Sequence, residues 1–157
     1  MTTAFNPDLD LILDRQVAAS PAAVWRCWTE ADLLKQWFCP APWSVPEAEI
    51  DPTPGGIFRT VMAGPGGERV EEPAGCVLEA VPERRIAFTD SLGPGFRPRA
   101  GGFMTAVVTF EPHDGGTRYR ALVRHASAED RRKHEEMGFA EGWGAATTQL
   151  ETLAASL

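Results

Sequence analysis

From Ser127 to its last residue, Leu157, the chain contains no proline. The stretch opens with Ser127-Ala128-Glu129-Asp130, a hydroxyl suited to cap a helix followed by acids suited to the positive end of its dipole. At the angular step of a helix, Phe139, Trp143, Ala146, Leu150, Leu153 and Leu157 fall within one arc of about 80°. His134, Glu141, Thr148 and Thr152 lie opposite, and on that phase His134 is a solvated surface residue. A single long amphipathic helix over 127–157 is the expectation, and it needs an apolar surface to lie on. Most of the chain before it must supply that surface.

The bulk properties set the class. A chain of 157 residues is one domain by length, spanning 1–157, and long enough to bury a core without staples. A net charge of −7 argues against a phosphate-binding surface, so no nucleic-acid partner is expected. The three cysteines, Cys27, Cys39 and Cys76, are widely spaced, with no zinc-type pairing; they read as reduced, packed side chains, and no metal or other cofactor is expected. Met1 to Asp10 carries neither a positive segment nor a long apolar run, and no stretch approaches the ~20 apolar residues of a membrane span. A cytoplasmic protein without membrane association follows as the expectation.

Residues 9–17 alternate, with Leu9, Leu11, Leu13 and Val17 on one face, interrupted by Arg15. Ser20-Pro21 then starts a helix carrying Val24, Cys27 and Trp28, and a second short helical segment holds Leu33, Leu34 and Trp37. The prolines at 40 and 42 end it. From 43 to 125, glycine- and proline-rich turns separate strands expected at about 44–51, 56–63, 68–80, 84–90, 103–111 and 116–125. Pro73 inside the 68–80 segment demands an edge or a bulge, and an exposed edge there allows a homodimer. In the last strand Thr117, Tyr119, Ala121, Val123 and His125 share a face. The glycine- and proline-rich loop Ser91–Gly102 is long for a compact domain and suits a lid. The order is that of an α+β fold: about seven strands forming a curved antiparallel sheet around the terminal helix, with two short helices after the first strand. Such a wrap leaves a cavity wherever the facing side chains are small.

At the level of whole segments the chain resembles the helix-grip (START-like, polyketide-cyclase-like, SRPBCC) superfamily. It is similar in particular to the branch related to the C-terminal domain of the activator of the 90-kDa heat-shock chaperone ATPase. The matching pieces are Ala19–Trp25 around Ser20-Pro21, Leu33–Pro40 around Trp37-Phe38, Pro54–Arg59 with its Gly55-Gly56, Gly75–Arg84, Gly116–Tyr119, and Gly142-Trp143 ahead of Leu150 and Leu153. They occur in family order across residues 9–157. Phe38-Cys39 departs from the aromatic-glycine pair that relatives often show. The resemblance implies the helix-grip fold and a choice among chaperone-stimulating domains, carriers of hydrophobic ligands, and cyclase-type enzymes.

Three functional readings follow. The first is a binding protein for a small apolar or aromatic molecule held between sheet and terminal helix, with Trp37, Phe58, Phe88, Phe96, Met104, Tyr119, Phe139, Ala140 and Trp143 as the expected lining. The second is an enzyme, a cyclase or hydrolase acting on an aromatic or polyketide-like substrate, with His125, Arg59 and Asp90 as its polar groups. No acid–base pair or nucleophile motif is visible to support it. The third, implied by the resemblance, is a regulatory module with a chaperone partner. Gly138, Gly142 and Gly144 stand close together in the terminal helix, where glycine is unfavourable by up to ~1 kcal/mol each, and mark a kink, a close approach, or room for a ligand.

Overall fold

A computed structural model describes residues 4–157; the first three residues, part of the terminus read above for a leader segment, lie outside them. Strand β1 (Asp10–Val17) is followed by helices α1 (Pro21–Thr29) and α2 (Ala31–Leu34). Then come β2 (Ser44–Ile50), β3 (Ile57–Ala63), β4 (Arg69–Glu71), β5 (Gly75–Val81) and β6 (Arg85–Thr89). A two-stranded excursion, β7 (Leu92–Gly93) and β8 (Arg97–Pro98), precedes β9 (Thr105–His113) and β10 (Gly116–Arg124). Helices α3 (Ala128–Glu136) and α4 (Phe139–Ala155) complete the chain.

The main sheet is antiparallel, with seven strands in the order β1-β10-β9-β6-β5-β3-β2 and the short β4 paired to β3. It curls as a half-barrel about the terminal helix, which is the helix-grip architecture. Full-length pairing of β1 with β10, Asp10 opposite Arg124 through Val17 opposite Thr117, closes the crossover that α1 and α2 plug. The segment expected as one strand over 68–80 is two: Glu72, Pro73 and Ala74 lie between β4 and β5, both of which pair with β3. Proline cannot donate to the ladder, so the strand breaks where it stands.

The helix starts are where capping chemistry puts them. Ser20 Oγ accepts from the Ala23 amide at 3.1 Å ahead of Pro21, and Ser127 Oγ accepts from the Asp130 amide at 3.1 Å. The expected single helix over 127–157 is divided, however. Gly138 adopts φ +93°, a left-handed conformation in which any side chain would be strained, and its amide donates to the Glu135 carbonyl at 3.1 Å. This is the glycine that ends one helix before another begins.

One core joins the layers. Val17, Val24, Trp28, Phe110, Tyr119, Val123 and Leu150 are all essentially inaccessible. Arg15, the polar interruption of the inner face of β1, reaches α4: its guanidinium donates to Thr148 Oγ1 at 3.0 Å and to Glu151 Oε1 at 2.9 Å. It therefore fixes helix to sheet. Asp10, whose position in β1 alternates with Leu9 and Leu11, is buried, accepting from the Asn6 amide at 2.9 Å with Arg124 at 3.6 Å. Leu157, the last member of the expected apolar stripe, lies past the end of α4 and is exposed, while Thr147 and Ala154 join the buried face. All three cysteines are free and buried, and burial pushes the Cys27 thiol up to about 11. Among the described residues, no helix is long and apolar enough to cross a membrane.

Candidate functional site

Between the sheet and the start of α4 lies a cavity of about 920 Å³. Trp28 of α1 and Tyr119 of β10 line it from within the core, and the turn after α2 contributes Trp37 and Phe38. The segment leading into β9 adds Phe103 and Met104, while His134, Phe139 and Trp143 come from α3 and α4. Met62, Val70 and Met137 also border it, Val70 and Met137 as exposed residues.

Side-chain hydrogen bonds, to other side chains and to backbone, hold these walls. The Trp28 indole donates to the Tyr119 hydroxyl at 3.1 Å, and the Trp37 indole donates to the Cys27 carbonyl at 2.9 Å. Gln149 of α4 ties the helix to the turn after α2. Its amide nitrogen donates to the carbonyls of Trp37 and Cys39, and its oxygen accepts from the Ala41 amide. Rings then pack edge to face, Trp28 against Trp37 at 5.0 Å and Trp37 against Phe38 at 5.4 Å. The space itself has a local cause in α4: a Cβ added to Gly142 would meet no atom within 4 Å. Of the three roles open to the glycines, Gly138 provides the kink and Gly142 the room.

Five of the nine expected lining residues, Trp37, Met104, Tyr119, Phe139 and Trp143, border this cavity. Phe58 and Phe88 do not; they stack on each other at 4.2 Å with 9° between planes, and each packs against Trp28 as core. Phe96 is half exposed, and its ring covers Gly55 in the turn before β3. Its loop is tied down rather than free to cover the mouth: the Gly95 amide donates to the Gly55 carbonyl at 2.7 Å, and Arg99 donates to the carbonyls of Asp90 and Ala74. Ala140 is exposed.

The three polar candidates do not meet in one cavity. Arg59 points to the opposite face of β3 from Phe58, among Glu47, Glu49 and Glu71 at 3.3–3.7 Å. Asp90 borders the large cavity, but its Oδ1 accepts from the amides of Phe103 at 2.7 Å and Met104 at 3.1 Å, anchoring the entry into β9. His125 opens on a smaller neighbouring pocket of about 330 Å³.

The most concentrated chemistry was missed in the sequence. His134, expected on the surface, is buried, with 8 % of its area exposed. Its Nδ1 lies 2.9 Å from His125 Nε2, and His125 Nδ1 lies 2.9 Å from the Leu9 carbonyl oxygen. Phe103 packs on both imidazoles and Phe139 stands edge-on to His134. Burial, with a smaller contribution from the neighbouring His125, pushes the His134 imidazole down to about 4. The ring is therefore neutral at physiological pH. Burial likewise raises the Tyr119 phenol, the Trp28 hydrogen bond opposing it in part, so that hydroxyl stays protonated.

The chain has well-defined relatives. A protein of Nitrosomonas europaea, NE0264, is 44 % identical and superposes with a TM-score of 0.92 over 97 % of each chain. A Rhodobacter sphaeroides protein is 25 % identical with a TM-score of 0.83, covering 98 % of this chain and 97 % of its own. Protein Ms6760 of Mycobacterium smegmatis is 28 % identical with a TM-score of 0.75, covering 93 % of this chain and 90 % of its own. No curated protein matches. Residues 18–155 match the family described as activator of Hsp90 ATPase homolog 1-like protein. With that match running from the start of α1 to the end of α4, the chain belongs to the activator of Hsp90 ATPase homolog 1-like family and carries its helix-grip fold.

Proposed function

We propose that the protein binds a small, mostly apolar, ring-containing molecule between the sheet and the first turns of α4. The observation that carries this reading is the cavity of about 920 Å³, which is walled by aromatic side chains and entered from the end where Met137 and Val70 are exposed. Its size and composition are those of small-molecule sites, concave and apolar with few polar groups. The fold is also one that commonly holds hydrophobic ligands. Arg59, His125 and Asp90 stand apart, so the catalytic reading lacks an assembled acid–base set.

The test is thermal unfolding with a panel of apolar and aromatic compounds. A ligand for the folded state raises Tm by mass action, by an amount that grows with its concentration. Trp143→Ala and the cavity-filling Met104→Trp should each blunt that rise. A panel in which nothing shifts Tm, or shifts that Met104→Trp leaves intact, would remove the reading. The family match also favours a second reading, a module acting on a chaperone partner. Association with an Hsp90-type chaperone and stimulation of its ATPase would support that reading, and failure to associate at all would end it.

A further inference from the structure

Apart from the tryptophan indoles and the Cys39 thiol, five side chains with polar atoms border the large cavity: Tyr119, Thr147, Asp90, Glu72 and His134. Three of them are already engaged. The Tyr119 hydroxyl accepts from Trp28, Thr147 Oγ1 donates to the Trp143 carbonyl at 2.7 Å, and Asp90 Oδ1 accepts from two backbone amides. Glu72 is exposed at the mouth. His134 is different, because it is buried and, among the described residues, only one of its two ring nitrogens has a protein partner.

A chain of hydrogen bonds settles which nitrogen carries the proton. The Leu9 carbonyl can only accept, so His125 Nδ1 carries hydrogen and donates to it. In a neutral imidazole the other nitrogen, His125 Nε2, then has a lone pair. The hydrogen in the 2.9 Å contact between the rings must come from His134 Nδ1. His134 Nε2 is left with a lone pair and, among the described residues, no protein donor. Among the described residues no buried side-chain nitrogen or oxygen lacks a partner while sealed from solvent, so Nε2 is reachable, and the cavity is what His134 borders. Phe103 and Phe139 pack about the ring and hold its orientation.

We infer that His134 Nε2 is a hydrogen-bond acceptor built for the ligand, and that the cavity selects apolar ring compounds carrying one hydroxyl, of the phenol type, over the same rings without a donor. His125 acts as a positioning residue, setting the His134 tautomer through its own bond to the Leu9 carbonyl. The inference rests on the ligand-binding reading above and specifies the class of ligand. A hydroxyl that leaves water for this site recovers a partner at Nε2, whereas an ether of the same shape leaves the lone pair of His134 unmet.

The experiment uses 2-naphthol and its methyl ether, 2-methoxynaphthalene, followed by tryptophan fluorescence and calorimetry. The unmodified protein should prefer the naphthol by about tenfold, the equivalent of one net hydrogen bond. His134→Phe should bind both with the same affinity, and His134→Gln, which offers an amide oxygen, should restore part of the preference. Long-range proton–nitrogen NMR of the unmodified protein should show hydrogen on Nδ1 of both rings, a readout independent of whether any variant folds. Hydrogen on His134 Nε2 in the free protein overturns the inference. Equal binding of the two probes also overturns it while leaving the cavity reading intact, and binding of neither removes both.

Discussion

The two halves of α4 carry the same helical spacing of sheet-facing positions, yet one is filled and the other is open. Beyond Ala146 and Thr147, which still border the cavity, the helix is sealed: Leu150 and Ala154 are inaccessible and belong to the same core as Val17, Val24 and Trp28. From Phe139 to Trp143 the inward positions hold a buried Phe139, Gly142 and a partly buried Trp143, all of which border the cavity. Side-chain volume, not periodicity, separates core from cavity. The filled half is expected to supply most of the stability, and under the proposed function the open half, whose space is not needed for packing, is where a ligand is held.

Mutations placed in each half put that division at risk. Leu150→Ala removes a fully buried side chain from the sealed half and should cost about 3 kcal/mol in urea unfolding, or roughly 6–12 °C in Tm for a domain of this size. Ligand affinity should change little. Trp143→Ala at the open half should cost less than half as much in stability and abolish most of the ligand-induced rise in Tm. Equal costs in the two halves, or a ligand response lost with Leu150, would erase the distinction.

Acid should act next on the open side, through His134 of α3, which borders the cavity. Its imidazole is held at about 4 in the folded protein against an ordinary value of 6.5. In that window the unfolded chain binds a proton that the folded chain refuses, so stability is full above pH 6.5 and falls as pH drops toward 4. The largest loss is about 3 kcal/mol. Most of it comes before the carboxylates of Asp14, Glu30 and Glu71 titrate, since their partner arginines hold them below the usual range. Denaturant unfolding between pH 7 and 4.5 should show this slope, and His134→Phe should flatten it. A slope that persists in the variant places its origin elsewhere.

Why this histidine was hidden in the sequence is a matter of phase. Carried back from Phe139 at the helical step, His134 points away from the apolar stripe. That reckoning holds only within one helix, and the left-handed residue Gly138 restarts it. The signal was present in Gly138 itself, a glycine following a turn with Lys133 and His134, the usual chemistry of a helix end. Strand alternation and turn residues located six of the main strands within about two residues, because facing is a period-two property written locally, while the expected 68–80 strand merged β4 and β5. Alternation placed Tyr119 on the inner face, and Phe58 and Phe88 were expected beside it in the lining, but a local pattern does not say which inward rings touch. Phe58 and Phe88 came to stack on each other because β3, β5 and β6 are neighbours, a consequence of long-range register. Ala140 follows Phe139 by one helical step and leaves the face entirely.

Gly138→Ala tests the hinge. At φ +93° a Cβ is strained wherever it points, and the nearest atom it would meet, Glu141 Oε2 at 3.7 Å, does not clash. The cost is thus conformational, about 1–2 kcal/mol, and the measurement is urea unfolding. A neutral substitution would mean that α3 and α4 can adjust to share a straighter path, which would move His134 off the cavity.

Gly142→Ala should have the smallest effect and the most telling sign. Here the glycine is helical, and an added Cβ meets nothing within 4 Å. Alanine should therefore raise stability by up to ~1 kcal/mol through helix propensity alone, and Tm by a few degrees. The same methyl group projects into the cavity that Gly142 borders, so affinity for ring compounds should fall while stability rises. A glycine retained only for close packing would give the reverse, destabilisation from a clash without any change in binding. Opposite signs in the two measurements identify Gly142 as a residue whose missing side chain is the ligand's space.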